Sequence, residues 1–197
     1  NIDKMMSAAT KSISTPGLGF IFTGQGAQWA GMGRELMVFP AFEQSLQRSE
    51  GILSDLGCSW HLRKELAKDH NPRINTPEFA QPCCTALQIA LSDLLVSFDI
   101  RPTVVVGHSS GEIGAAYCAG AVSLESALKL AYYRGCSSGL LGADAPGNNG
   151  GMMSVGLSKE AVQPYIDEMT SRFGESRLTV ACINSPKNVT ISGDVNQ

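Results

Sequence analysis

The run Gly-His-Ser-Ser-Gly at residues 107–111 carries the residue types and spacing of a nucleophilic serine site. It follows the three valines 104–106, an apolar run typical of a buried strand, and it opens a segment whose small residues predict a helix. Glycines on both sides permit a sharp turn from strand to helix, which lifts the middle residue, Ser109, out of the sheet. The Ser109 hydroxyl is therefore the candidate nucleophile for attack on an acyl carbonyl.

Backbone N–H groups near this serine could stabilise the oxyanion that such an attack creates. Ser110 lies in the first turn of the predicted helix, so we expect it to contribute its backbone N–H and not its hydroxyl. The run Gly-Gln-Gly-Ala-Gln at residues 24–28 directly follows another apolar run, 19–23. Its glycines let the N–H of Gln25 face a ligand as a second donor. A phosphate cradle is the alternative, although the lysine of a P-loop is absent.

The order of apolar runs and helical patterns predicts the fold class. Strands at 19–23 and 104–106 alternate with helices up to residue 140, which predicts an α/β fold with a parallel sheet. The β-α-β-β order after residue 150 predicts a small α+β subdomain, and the polar composition of residues 1–16 predicts a linker. The predicted helices cover 28–38, 40–56, 76–98, the segment after 107, 123–140 and 158–170; the later strands cover 152–156, 178–183 and 188–193.

Composition excludes several classes of protein. Among 197 residues, 18 are acidic and 15 are basic, so the net charge of −3 argues against nucleic acid or an anionic membrane as the main partner. The hydrophobic share of 43% excludes a disordered chain. Six cysteines lie in apolar runs without a C-x-x-C pair, which favours reduced thiols in a cytoplasmic protein. No signal peptide is visible, and no uninterrupted apolar run approaches the ~18 residues of a membrane span.

Together, the runs 21–29 and 107–117 resemble the two signatures of the malonyl-CoA:acyl-carrier-protein acyltransferases, most closely the acyltransferase domain of an iterative fungal polyketide synthase. The resemblance extends from about Leu18 to the last residue. It implies an α/β-hydrolase-like subdomain over residues 17–141 and part of a ferredoxin-like subdomain over 151–197, with the active-site cleft between them.

The resemblance implies that Ser109 is acylated by malonyl-CoA. It would then pass the malonyl group to the phosphopantetheine thiol of an acyl carrier protein, in polyketide or fatty acid biosynthesis. The N–H groups of Gln25 and Ser110 would form the oxyanion hole, and His108 would be a structural neighbour of the site. No metal or bound cofactor is implied, because CoA enters as part of the substrate. The expected partners are the carrier protein and the neighbouring domains of a multidomain synthase.

Three polar residues match substrate-binding positions of this family. Arg134 would grip the free carboxylate of malonyl, while Gln81 and Asn184 would line the site. Helix geometry independently supports Arg134: one helix runs outward from Ser109 for about ten residues and a second returns as far. At ~1.5 Å per residue on each leg, Arg134 comes back level with the elbow. A guanidinium group can hold a carboxylate through two parallel hydrogen bonds.

An activated serine needs a base, and none of the histidines lies after Ser109 in the sequence. His61 and His70 lie in a polar stretch where we expect them to be solvated. The chain begins at Asn1 and finishes on a strand pattern, so we expect a fragment truncated at its C-terminus. In the family that it resembles, the base is a histidine that would fall beyond Gln197, and the fragment would be poorly active alone.

Two other classes of function remain open. A serine hydrolase shares the elbow, but a thioesterase of the α/β-hydrolase type would need an H-G-G-G-like loop, which is not found. A patatin-like lipase would need its aspartate in Asp-Gly-Gly or Asp-Gly-Ala, which residues 193–195 do not supply. The non-enzymatic alternative is a scaffold module of a megasynthase that merely retains the serine.

Overall fold

A computed structural model describes residues 17–143, 150–174 and 177–194. The linker predicted for residues 1–16 lies outside the described residues. The elements are β1 (Gly19–Phe22), α1 (Pro40–Asp55), α2 (Leu62–Leu66), α3 (Pro77–Ser97), β2 (Val104–Gly107), α4 (Gly111–Cys118), α5 (Leu124–Ala143), β3 (Gly150–Val155), α6 (Lys159–Phe173), β4 (Thr179–Ser185) and β5 (Asn188–Asp194).

The predicted α/β fold with a parallel sheet is confirmed. The chain divides into two compact units, Asn1–Cys136 and Ser137–Gln197. The first unit contains the parallel pair β1–β2, and the second contains an antiparallel sheet of order β3-β5-β4. The domain borders that the sequence predicts are 17–141 and 151–197. They differ from this division and remain predictions.

The parallel sheet aligns Phe22 at the end of β1 with Gly107 at the end of β2. The carboxyl ends of both strands therefore meet at one edge, from which the two glycine-rich runs continue. Helix α4 packs against both strands. On the other face Ile21, Val104 and Val106 are 79%, 67% and 58% exposed. The two strands, which the sequence predicts to be buried, are thus exposed on one face, since no described element covers these three side chains.

The core of the first unit is made by α1 and α3. Pro40 and Pro77 each occupy the first turn of their helix, where the missing N–H costs no hydrogen bond. The buried stripe of α1 includes Phe42, Leu46 and Leu53, which pack against buried residues of α3. Burying a side chain of this size contributes about 2–3 kcal/mol. This packing holds α3 beside the sheet, and α3 carries residues of the candidate site.

The helix predicted for residues 28–38 is wrong over most of its length. The structure has turns followed by a short 3-10 helix, Arg34–Val38. Gly31 and Gly33 have φ angles of 85° and 78°, which place both in the left-handed region that ends helices. A Cβ at Gly33 would also lie 3.1 Å from Cζ of Phe42, so this residue is pressed against the core.

Helix α3 is long and apolar enough to span a membrane by length and mean hydropathy alone. However, 67% of its most apolar window is buried within the protein. Its fully buried residues include Ala80, Cys83 and Ala86. The apolar composition of α3 therefore follows from its place in the core of the first unit.

The second unit places α6 on its antiparallel sheet. Its helix begins where the Ser158 hydroxyl accepts a hydrogen bond from the N–H of Ala161, at 3.1 Å. Val162 and Ile166 on α6 and Val189 on β5 form the buried cluster. This β-α-β-β arrangement has the elements that the sequence predicts for a ferredoxin-like subdomain.

A phenol on α4 gives the first unit a pH-dependent contribution to stability. The Tyr117 hydroxyl donates to Asp93 at 3.0 Å; burial, followed by the Asp93 charge, raises its pKa from 10.0 to about 12. The folded state therefore holds this proton more tightly than the unfolded state. The resulting stability is complete below about pH 10 and is lost as the pH rises through about 12.

Tyr117→Phe removes this titration. We expect the free energy of unfolding to fall less steeply with pH in Tyr117→Phe than in the wild type over that alkaline range. Denaturant unfolding followed by circular dichroism at several pH values measures the two slopes. Tyr165→Phe, at an exposed tyrosine of α6, is the matched control and should retain the wild-type slope. Equal slopes for wild type and Tyr117→Phe would contradict the role of Tyr117.

Candidate functional site

The end of β2 presents Ser109 on a tight turn. The backbone N–H of His108 donates to the carbonyl of Phe22 at 2.9 Å, which continues the strand pairing as far as the turn. Ser109 then has a φ of 53°, a left-handed conformation that is strained for a residue with a side chain. The N–H of Gly111 donates back to the His108 carbonyl at 3.0 Å, and α4 begins there. This geometry is that of a nucleophile elbow.

The glycines of the elbow are required by close backbone contacts. A Cβ at Gly107 would lie 2.4 Å from backbone atoms of Glu112. A Cβ at Gly111 would lie 2.3 Å from the carbonyl oxygen of Phe22. Because these neighbours are backbone atoms of β1 and α4, neither can move aside cheaply. The spacing of glycines around Ser109 therefore follows from how tightly α4 packs on the strands.

The bend at residues 24–28 lies directly against the elbow. A Cβ at Gly24 would be 2.7 Å from the carbonyl oxygen of His108 and 3.0 Å from Cβ of Ser109. The backbone N–H of Gln25 donates to Oγ of Ser110 at 3.0 Å. Two segments that are 85 residues apart in sequence are thus in contact at the candidate nucleophile.

Side chains on both sides brace this bend. Gly26 has a φ of 113°, and its N–H donates to Oε1 of Gln28 at 2.7 Å. The Gln28 amide in turn donates to Oδ1 of Asn75 at 3.1 Å. From α3, Nε2 of Gln88 donates to the Thr23 carbonyl at 2.7 Å. No local sequence pattern indicates these roles of Gln28 and Gln88, because only the fold brings their partners within reach.

Arg134 on α5 is joined to the bend through Gln81. A Cβ at Gly135 would lie 2.7 Å from the carbonyl oxygen of Pro77, so α5 lies close to the start of α3. Nη1 of Arg134 then donates to Oε1 of Gln81 at 3.1 Å, and Nε2 of Gln81 donates to Oε1 of Gln25 at 3.2 Å. Gln81 is only 3% exposed, whereas Arg134 is exposed.

The surroundings of Arg134 leave its positive charge available for an anionic ligand. No ion pair joins it to an acidic side chain in the part of the chain that the structure describes. On the same helix, Lys129 is paired with Glu125 one turn away. A cation held by a neutral amide retains its full charge for a ligand carboxylate.

The remaining predicted positions have the following surroundings. His108 is exposed, and its backbone forms the turn of the elbow. Asn184 lies in β4 of the second unit, where its amide donates to Asn188 and Thr190 of β5 at 2.8 and 3.0 Å. Its role in lining the site remains a prediction. His61 and His70 are exposed, as their polar sequence surroundings predict.

The cysteines form no disulfide. Burial raises the pKa of the Cys84 thiol from 9.0 to about 11 and that of Cys83 well above 9.0. These two thiols of α3 are therefore protonated at neutral pH and do not compete with Ser109 as nucleophiles. Among the described residues, no group of three or more acidic, histidine or cysteine side chains could hold a metal ion.

A cavity of about 390 Å³ lies between β1 and α3 rather than at the elbow. Its lining is mainly apolar and includes Phe20, Phe22, Trp29, Leu87 and Leu91, but neither Ser109 nor Arg134. Its polar lining side chains are Thr23, Gln88 and Ser92, and none of them is a predicted site residue.

These features define an α/β protein that presents a serine on a strand-to-helix elbow. Comparison with known proteins gives the family: a family model described as "Acyl transferase domain" matches residues 19–197. The chain belongs to the acyl transferase domain family, as its two signature runs predict.

The relatives are multidomain synthases. Highly reducing polyketide synthase 40 of Fusarium mangiferae is 50% identical over 185 residues, which are 93% of this chain and 8% of that protein. A solved loading acyltransferase from the avermectin modular polyketide synthase has a TM-score of 0.78 at 31% identity. The match covers 90% of this chain and 54% of that one.

A malonyl CoA-acyl carrier protein transacylase from Clostridium perfringens has a TM-score of 0.75 at 28% identity, covering 91% of this chain and 54% of that one. The chain therefore spans about half the length of these two solved structures and 8% of the Fusarium synthase.

Proposed function

We propose that this chain is the part of a polyketide synthase acyltransferase domain that carries the nucleophile. It would move a malonyl group from malonyl-CoA to the phosphopantetheine thiol of an acyl carrier protein. The observation that carries the proposal is the contact between the elbow at Ser109 and the bend at Gln25. Fungal polyketide synthases among the relatives, and the malonyl transacylase among the solved structures, support this reaction.

Two displacement steps make up the reaction. The Ser109 oxygen attacks the thioester carbonyl, the C–S bond breaks, and CoA leaves as the thiol after receiving the proton lost by the serine. The carrier thiol then attacks the seryl ester, and Ser109 recovers its proton. The N–H groups of Gln25 and Ser110 would stabilise the oxyanion in both steps. A histidine outside these 197 residues would move the proton, as the family resemblance implies.

Arg134 would select substrates that carry a free carboxylate. Its guanidinium can hold the malonyl carboxylate through two parallel hydrogen bonds, while Gln81 accepts a hydrogen bond from Nη1 of the arginine. Carboxylate binding at this point would orient the thioester carbonyl toward Ser109 and the bend. No resident cofactor takes part, the reaction would be cytoplasmic, and the neighbouring synthase domains would supply the carrier protein.

The test is incubation of the longest polypeptide that contains this chain with malonyl-CoA labelled in the malonyl group. We expect stable label on the protein, peptide mapping to Ser109, and transfer to a phosphopantetheinylated carrier protein when it is added. Acetyl-CoA labelled in the same way is the comparison substrate. Mass spectrometry of the intact protein and of its peptides measures both steps.

The other classes of function give different outcomes. Rapid release of free malonate to water, with no transfer to the carrier, would show a serine hydrolase. Complete absence of label would favour a scaffold module that retains the serine without using it. Label at a residue other than Ser109 would overturn the assignment of the nucleophile while leaving the reaction class in place.

A further inference from the structure

The Ser110 hydroxyl has an unusual partner. Ser110 directly precedes α4, where a serine side chain ordinarily accepts a hydrogen bond from an N–H in the first turn of its own helix. It makes no such capping bond, and its backbone is already helical, with φ −62° and ψ −17°. Instead, its Oγ accepts the N–H of Gln25 at 3.0 Å, and the residue is only 4% exposed.

From this geometry we infer that Ser110 is a positioning residue for the oxyanion hole. Its hydroxyl anchors the Gln25 N–H above the elbow, so that this donor is in place before an acyl group arrives. The inference rests on the proposed function, and it assigns to the side chain of Ser110 a task beyond that of its backbone N–H.

Side chains of Gln28 and Gln88 hold the flanks of the bend, and the Ser110 hydroxyl holds the N–H at its centre. Gly24, which has no side chain to hold it, lies against Ser109. Gly26 has a φ of 113°, and a Cβ there would meet no atom within 4 Å. Gln25 is exposed and stands between these two glycines. The hydrogen bond to Ser110 is therefore a direct link between the backbone of the bend and the segment that carries the nucleophile.

The anchor is compatible with catalysis because the Ser110 hydroxyl and the oxyanion accept hydrogen bonds of different strength. An oxyanion carries full charge and accepts a hydrogen bond more strongly than a neutral hydroxyl. The Gln25 N–H, held by Ser110 until the acyl group arrives, can therefore turn from that hydroxyl to the oxyanion as the charge develops. Donors must lie 2.7–3.1 Å from the oxyanion, and a displacement of about 1 Å costs about 10²-fold in rate.

Ser110→Ala tests the anchor. We expect the rate of Ser109 acylation by malonyl-CoA to fall about 10-fold with KM unchanged, because the loss affects the transition state and not substrate binding. Ser110→Thr, which keeps a hydroxyl, should restore most of the rate. The matched control is Ser49→Ala, since Ser49 is also a buried serine but its hydroxyl donates within its own helix, to Ser45. Rapid-quench labelling measures each rate.

A second measurement does not depend on activity. Hydrogen exchange of the Gln25 amide, followed by NMR, should be faster in Ser110→Ala than in the wild type and unchanged in Ser49→Ala. An unchanged or increased acylation rate in Ser110→Ala would overturn the inference, as would unchanged exchange at Gln25. Failure of the wild type to take label would instead refute the proposed function, and the exchange data would still decide whether Ser110 holds the bend.

Discussion

Ser109→Ala should abolish stable labelling by malonyl-CoA, with a fall in acyl transfer of about 10⁴-fold or more. The physical reason is that, in the reaction that we propose, the covalent intermediate forms on the Ser109 oxygen and no neighbouring group replaces it. The Ser110 hydroxyl is engaged by the Gln25 N–H. The measurement is single-turnover labelling in the longest polypeptide that carries this chain.

Two further variants distinguish a loss of catalysis from a loss of folded structure. Ser109→Gly should be equally inactive, yet it should unfold at no lower temperature than Ser109→Ala, because glycine adopts the φ of 53° without a Cβ penalty. Ser126→Ala, at a serine in the first turn of α5, should label at the wild-type rate. Labelling of Ser109→Ala at more than a few per cent of the wild-type rate would exclude Ser109 as the nucleophile.

Arg134→Ala should reverse the preference between acyl groups. We expect kcat/KM for malonyl-CoA to fall about 100-fold or more, because the two charge-assisted hydrogen bonds that we propose between Arg134 and the carboxylate would be lost. Transfer of acetyl from acetyl-CoA should be retained or improved, since acetyl has no carboxylate to bind. Steady-state transfer to the carrier protein, measured with both substrates, gives the ratio of kcat/KM for malonyl-CoA to kcat/KM for acetyl-CoA.

One control is a different substitution of Arg134, and the other replaces a second cation of the same helix. Arg134→Lys keeps the charge but loses the paired geometry, so it should recover only part of the malonyl rate. Lys129→Ala removes a cation of α5 that is already paired with Glu125, and it should change neither rate. Equal losses with malonyl-CoA and acetyl-CoA in Arg134→Ala would contradict a carboxylate-binding role and indicate a structural one.

Much of the fold could be predicted because its signals are local. Apolar runs that end in glycine predict β1 and β2, and the proline at the first turn of α1 and of α3 predicts where these helices begin. The G-x-S-x-G spacing predicts the elbow, since only glycine tolerates the backbone contacts at Gly107 and Gly111. The alternation of elements predicts the parallel sheet, and a parallel sheet brings the ends of its strands together.

Other features depend on contacts between distant segments, and the sequence predicts them poorly. The apolar residues of 28–38 have a helical spacing, but Gly31 and Gly33 take positive φ angles and turn the chain instead. The hydrogen bonds from Arg134 to Gln81 and from Gln81 to Gln25 join three separate elements. For Ser110 the sequence predicts a role for the backbone alone, because nothing local indicates that its hydroxyl accepts the N–H of a residue 85 positions away.

The uncovered side of the parallel sheet has a consequence for handling the protein. In the part of the chain that the structure describes, β1 pairs only with β2, so its other edge offers unpaired backbone groups. On the uncovered face of the two strands, Ile21, Val104 and Val106 are exposed to water. A bare strand edge beside such a patch promotes intermolecular strand pairing. We therefore expect concentrated preparations of these 197 residues to associate through this side of the sheet.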